Sequence, residues 1–257
     1  MQRVPPILPP THTERDQKRR AVMNRRIIFT ALLLPMVVIG FCCLLVSQNL
    51  YRSDPLYKAI VRGDVASVQS SLREHPDEIN ALIGYITPLD LAAEKNDTNM
   101  IALLLNQGAE IEDKQGYRNL CTALHCAASH GNIAAIAFLL SRGAYVNSID
   151  RDNETPLHYA ASNDHAEAVT YLIAHGANIN AHSTDYDRTP LEDAVKDERV
   201  QAARALLEHG ADADFDKLIA SIKSDMEGAP LASQADRDKW LKTIAVLQEF
   251  KDKRHAH

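Results

Sequence analysis

Two kinds of hydrophobic pattern divide this chain, and they call for different surroundings. From Ile27 to Val46, within RRIIFTALLLPMVVIGFCCLLVSQNLYR, twenty residues carry no charge and nearly all are large and apolar. At ~1.5 Å per residue such a helix is about 30 Å long, the thickness of a bilayer's hydrocarbon core. Beyond Pro55 the pattern changes to short one-sided stripes. Leu89, Ala92 and Ala93, then Ile101, Leu104 and Leu105, are spaced to give each of two successive helices one apolar face. Leu139/Leu140, Leu172/Ile173 and Leu206/Leu207 recur at the place of Leu104/Leu105. No stretch alternates with period two, and Ala and Leu are plentiful, so an all-α architecture is predicted.

The stripes belong to a repeat. TPLDLAAEKNDTNMIALLLNQGAEI, TALHCAASHGNIAAIAFLLSRGAYV, TPLHYAASNDHAEAVTYLIAHGANI and TPLEDAVKDERVQAARALLEHGADA align. They begin at Thr87, Thr122, Thr155 and Thr189, spaced 35, 33 and 34, and the Gly-Ala pairs from Gly108, Gly143, Gly176 and Gly210 keep the same spacings. This pattern resembles the ankyrin repeat, whose signature is T-P-L-H-x-A in a unit of about 33 residues. The resemblance implies a solenoid of helix-turn-helix units with projecting loops, each unit burying its apolar face against the next. The small alanines let paired helices approach closely, and a Gly after each second helix supplies a left-handed C-terminal turn.

The pattern also predicts departures. Ala123 replaces the usual Pro, leaving that turn less constrained. Between the two helices the family prefers Gly, which Gly131 obeys; Asn96 and Asp164 tolerate a left-handed backbone, whereas Glu198 does so poorly, so strain or rearrangement is expected there. The loop from Lys114 to Cys121 is about two residues longer than standard. DPLYKAIVRGDVASVQSSLREHP reads as a degenerate first unit. At the other end Phe215, Leu218, Ile222 and Met226 mark a helix stopped by GAP. Ser233 and Asp236 then form a capping box before a last helix with Trp240, Ile244, Leu247 and Phe250 on its inner face.

The predicted organisation is a basic disordered tail (1–26), a transmembrane signal-anchor helix (27–47), a short stalk (48–54) and repeats (55–215). A helical cap (216–251) and a disordered tail (252–257) complete it. The apolar run exceeds the ~7–15 residues of a secretory signal and lacks a small-residue cleavage site, so a retained anchor is expected. Six basic residues from Arg15 to Arg26 precede it, against Arg52, Lys58 and Arg62 after it. Positive-inside bias places the N-terminus in the cytoplasm and the repeats across the membrane. About eight extended residues of stalk, roughly 25–30 Å, would hold the stack at the membrane surface.

Charge narrows the partners. Residues 1–51 hold seven Lys/Arg and two acids, so the chain total of −6 leaves −11 for residues 52–257. So acidic a stack repels duplex DNA, so no nucleic acid is expected, and a protein partner with a basic face suits it. Candidate chemistry thins out on inspection. His158, His165, His175 and His182 crowd one unit, yet Asp90 and Glu192 replace the signature histidine of His125 and His158 in the outer copies, which argues against a repeated metal ligand. By resemblance, His125 and His158 with their preceding Thr hold neighbouring turns by hydrogen bonds. His165 falls at the start of a second helix and His175 on its solvent side. Cys121 and Cys126 are five apart, so their thiols should diverge on a helix, and C-x₂-C spacing for zinc is absent. No G-x-S-x-G, Walker loop, H-E-x-x-H or Rossmann glycine pattern occurs. No catalytic residue, metal or cofactor is expected.

The resemblance implies partner binding through loop tips and the exposed side of the first helices. Carried onto this chain, those positions are Tyr85, Glu94, Lys95, Tyr117, Arg118, Asn119, Ser129, His130, Arg151, Asp152, Glu154, Ser162, Asn163, Tyr186, Arg188 and Lys196. Tyr117, Arg118, Tyr186 and Arg188 are the expected hot spots by residue type. The functional expectation is a membrane-anchored adaptor or inhibitor on the periplasmic side of a bacterial inner membrane, favouring an immunity partner of a secreted toxin. The alternative is an accessory subunit or protective factor for an envelope enzyme or metal-dependent stress system, lending its histidines to a site.

Overall fold

A computed structural model describes residues 54–83, 85–114, 120–184, 187–229 and 232–255. Among them are twelve α-helices, one short 3-10 helix at Pro76–Asn80 and no strand. The first unit is α1 (Pro55–Arg62) and α2 (Val65–Glu74). Four pairs follow, α3 (Pro88–Glu94) with α4 (Thr98–Asn106), α5 (Ala123–Ser129) with α6 (Ile133–Ser141), α7 (Pro156–Ser162) with α8 (Ala166–Ala174), and α9 (Pro190–Lys196) with α10 (Val200–Glu208). The end is closed by α11 (Phe215–Gly228) and α12 (Gln234–His255). The first helices α3, α5, α7 and α9 stack on one another, as do the second helices α4, α6, α8 and α10. This is the all-α solenoid that the repeat predicts.

The core is the set of striped positions. Leu89, Ala92, Ala93, Ile101 and Leu104 of one unit are buried, as are Leu124, Ala127, Ala128, Ile136 and Leu139 of the next. Each large side chain so buried contributes about 1.5–3 kcal/mol. Alanine at the helix contacts keeps the seven-residue first helices close enough for neighbours to share these chains.

Polar ladders knit unit to unit where the apolar faces end. The amide after each Gly-Ala pair, in Glu110, Tyr145, Asn178 and Asp212, donates to a side-chain oxygen of the preceding unit, on Asn80, Glu112, Asn147 and Asn180 respectively. A second ladder runs from the residue that opens each second helix. Asn132 Nδ2 donates to the carbonyls of Ala93 and Glu94, His165 Nε2 lies 2.9 Å from the carbonyl of Ser129, and Arg199 Nε donates to that of Ser162. These bonds take up carbonyls that a short helix leaves unsatisfied at its C-terminus.

The turns between paired helices place Asn96, Gly131, Asp164 and Glu198 at φ 57, 65, 61 and 60, and Gly63 of the first unit matches at 67. Glu198 therefore takes the left-handed backbone and the turn is not rearranged. Ala123 likewise leaves its turn unaltered: Thr122 caps α5 at φ −96, ψ 168, against −95, 166 for Thr155 before Pro156.

The cap differs from expectation in two details. Ser233 and Asp236 do exchange amide and side-chain hydrogen bonds ahead of α12. Its buried row, however, is Thr243, Val246 and Leu247, with Trp240, Ile244 and Phe250 on the margins of that face. The helix also continues to His255, so residues 252–255 are helical rather than a disordered tail. Arg254 explains why: its Nη2 donates to the carbonyl of Ala211 and its guanidinium lies over the Phe215 ring. Arg204 grips Glu249 through both nitrogens, tying α10 to α12 and holding the Glu249 carboxyl down to about 2. The apolar run from Ile27 to Val46, residues 48–53 of the stalk and the longer loop at 115–119 lie outside the described residues, among which no helix is long and apolar enough to cross a membrane.

Candidate protein-binding face

Each first helix begins at a threonine whose amide needs an acceptor, and the third helical residue supplies it. In the second and third repeats that residue is His. Thr122 N donates to His125 Nδ1 and Thr155 N to His158 Nδ1, at 3.2 and 3.0 Å. With Nδ1 accepting, Nε2 carries the hydrogen and donates onward to the carbonyl of Glu154 or Arg188 in the following tip loop, at 3.1 and 3.2 Å. Burial holds His125 down to about 4 and also lowers His158, so both rings stay neutral, as this pairing demands. In the first and fourth repeats Asp90 and Glu192 accept the Thr87 and Thr189 amides instead. Burial raises the Asp90 carboxyl to about 7.

Five further histidines also have structural partners. His165 caps α8 and packs its ring over Gly131, where an added Cβ would stand 2.6 Å from His165 Nδ1. His130, His175 and His209 turn Nδ1 to the carbonyl four residues back at their helix ends, and exposed His182 pairs with Asp187. Among the described residues, no three or more His, Cys, Asp or Glu side chains form a group that could hold a metal ion. Cys121 and Cys126 are buried free thiols. Cys121 Sγ lies 2.9 Å from Tyr159 Oη, and burial pushes the Cys121 thiol up to about 12, which makes it a poor nucleophile.

This scaffold sets out the expected contact positions in two rows. One follows the C-terminal ends of the first helices: Glu94 with exposed Lys95, Ser129 with exposed His130, Ser162 with exposed Asn163, and exposed Lys196. Neighbouring members touch, since Asn163 Nδ2 donates to Ser129 Oγ across a repeat boundary. The other row follows the tips: exposed Tyr85 and Arg151, and half-buried Asp152, Glu154 and Arg188. Tyr117, Arg118, Asn119 and Tyr186 lie outside the described residues. Arg188 departs from its expected role as a projecting anchor, because its guanidinium donates to Asp193 Oδ1 at 3.0 Å. Lys196 similarly reaches Asp225 on α11.

Sequence reasoning missed a third exposed feature. Tyr145 is 69% exposed and, with Val146, Ile149 and Lys114, lines a shallow hollow of about 450 Å³. Its signal was present: the equivalent positions after the other Gly-Ala pairs are Glu110, Asn178 and Asp212, all polar.

The family profile described as "Ankyrin repeats (3 copies)" matches this chain twice in overlapping stretches, residues 56–150 and 124–217. Together these matches span every helix from α1 to α10 apart from the first residue of α1.

Proposed function

The chain belongs to the ankyrin-repeat family, and from that premise we propose a non-enzymatic, membrane-anchored module that grips another protein at the periplasmic face of a bacterial inner membrane. Protein–protein interaction is what such a stack offers: short helices, tightly knit, presenting rows of exposed side chains on a rigid frame. The observation that carries the reading is the row along the first-helix ends, running from Lys95 to Lys196 over hydrogen-bonded repeat boundaries.

The anchor is supported by the uncharged run from Ile27 to Val46 and its orientation by the six basic residues before it. Tethering would raise the effective concentration for partners at the membrane. An adaptor or inhibitor fits this arrangement, and neutralising a secreted toxin fits it best, because occluding an incoming protein needs shape and charge but no catalysis.

A reporter active only outside the cytoplasm, fused after Phe250, tests the placement; an inactive fusion overturns it. The binding role is tested by crosslinking in intact cells with the triple variant Lys95→Ala, His130→Ala, Arg151→Ala. Loss of a discrete crosslinked partner, with unchanged thermal unfolding, is expected. An unchanged crosslink would move the interface elsewhere.

A further inference from the structure

Large apolar side chains are exposed along one part of the tip edge and give way to polar ones along the rest. On the loops that lead into α3, α5 and α7, Leu82, Tyr85, Leu120 and Ile149 are 40–46% exposed and Tyr145 is 69% exposed. On the loop into α9 the positions of Ile149 and Leu120 are taken by exposed His182 and Asp187. Beyond Ile149 the only exposed large apolar side chain among the described residues is Leu241, on α12. Leu120 is out of place in a second way. It sits at φ 59, where its counterparts Asn153 and Asp187, at 57 and 50, are residue types that tolerate a left-handed backbone and leucine is not. In water alone that residue is unfavourable in both backbone and surface.

Hydrogen bonds hold these loops side by side. The Glu110 amide donates to Asn80 Oδ1 at 3.0 Å, the Tyr145 amide to Glu112 Oε1 at 2.9 Å, and Lys114 Nζ to the Ile149 carbonyl at 2.8 Å. Tyr145, Val146, Ile149 and Lys114 line one shallow hollow. At ~8–10 Å per packed helix the three loops fall within about 20 Å along the stack. Tyrosine and aliphatic side chains beside a lysine, whose stem can lie on apolar surface with its charge in water, are the composition that a lipid headgroup layer favours. Chain length brings such a layer within reach. From Val46, where the uncharged run ends, to Asp54 is eight residue steps, at most about 25–30 Å. The units with apolar tips are the ones that follow that run most closely in the chain.

We propose that the tip edge of the first three loops rests on the headgroup layer of the bilayer, with Tyr145 and Ile149 entering it and the polar loop into α9 standing clear. The proposal rests on the anchored reading and goes beyond it: a tether limits distance, whereas a resting edge sets orientation. The C-terminal ends of the first helices, one helix length from the tips, then face away from the lipid, which leaves the row from Lys95 to Lys196 open to a partner. The contact is apolar. The net charge of −11 over residues 52–257 opposes an anionic surface, so the contact should tighten as salt screens that repulsion, the reverse of a basic patch.

The test places the full chain, with Cys42→Ala and Cys43→Ala, in nanodiscs of phosphatidylethanolamine and phosphatidylglycerol. Cys121 and Cys126 are buried and stay. A spin label is attached at Ile149→Cys or, one repeat later at the equivalent exposed position, at His182→Cys. The label at 149 should be relaxed more by oxygen, which concentrates in lipid, than by a water-soluble nickel chelate, and the label at 182 should show the reverse. Adding Leu82→Ser with Tyr145→Ser should shift the label at 149 to the pattern of 182, with thermal unfolding unchanged. Nickel-dominated relaxation at both positions overturns the proposal. So does a label at 149 that leaves water only when a crosslinked protein partner is present, which would make this edge a protein interface. Failure here is separable from failure of the parent reading. A chain that does not enter nanodiscs sinks the anchor, whereas an inserted chain with a water-exposed label at 149 sinks the resting edge alone.

Discussion

The two central repeats and the two outer ones fill the same slot with different atoms. Imidazole in His125 and His158 has two nitrogens facing opposite ways, one toward its own threonine and one toward the next loop. In Asp90 and Glu192 one carboxyl oxygen accepts the threonine amide and closes the helix's own start, with no counterpart to the ring nitrogen that donates to the next loop's carbonyl. The slot thus has a local task that any acceptor performs and a second, between repeats, that needs a donor as well. Histidine in the middle of the stack ties adjacent repeats through a buried ring, whereas Glu192 at the outer end meets α11 only through the exposed Lys217 ammonium.

The contrast breaks first at His158. Replacing it with Ala strands the buried Thr155 amide and empties a fully buried site, while the Arg188 carbonyl keeps only the Ser183 amide, so a loss of about 2–4 kcal/mol is expected by denaturant unfolding. Glu192→Ala removes the equivalent cap where the glutamate is half-exposed, with an expected loss of about 1 kcal/mol. Equal losses would mean that the bridging nitrogen contributes nothing.

Gly131→Ala comes next and acts on the same pair of central repeats. The new methyl would meet His165 at 2.6 Å in a left-handed backbone, and the clash should cost about 1–3 kcal/mol. Adding His165→Ala should recover part of it, because the clash goes with the ring; no recovery would place the strain in the backbone alone.

The first repeat is distinguished by pH. Asp90 has its carboxyl raised from the ordinary 3.8 to about 7 by burial. A raised folded-state value means that protonation favours the fold. Its stabilising share is complete below the unfolded value near 4 and is lost as pH rises through about 7. His125 and His158, held low, act the other way up to about pH 6.5, so the wild-type decline should stand out between pH 6.5 and 8. Asp90→Asn keeps an acceptor for Thr87 and should flatten the decline without abolishing it, since Glu154 and Asp193 are raised to about 7 and 6. An identical slope in the variant would exclude Asp90 as a source.

How far the sequence foretold this molecule follows from the same contrast. The period, the paired helices, the threonine starts and the bridging histidines were legible, because each is written within one unit and repeated. The exposed rows were legible too, as the positions that the repeat leaves variable. What escaped were partners whose meeting depends on side-chain direction, most about one unit apart and one only five residues away. Examples are Asn132 reaching Ala93, the loop asparagines capping the next Gly-Ala turn, and Arg188 folding onto Asp193 instead of projecting. Spacing says that such residues lie near one another, but not which way they point.

Glu198 gives the smallest effect and the cleanest reading of the turns. Asn96 and Asp164 also sit at positive φ, yet their side chains earn that backbone: Asn96 Oδ1 accepts the amide of Ala135, and Asp164 Oδ1 that of Ala202, each at the start of the next repeat's second helix. Glu198 makes no such bond among the described residues and takes the left-handed turn all the same. Glu198→Gly should stabilise by about 1 kcal/mol, the penalty a side chain pays there. Asn96→Gly, formally the same relief, should instead be neutral or lose about 1 kcal/mol, because it uncaps α6. Thermal unfolding of the two variants side by side decides the matter. If both gain, the left-handed residues are tolerated defects; if they diverge, the turn residue of one repeat is chosen by the helix of the next.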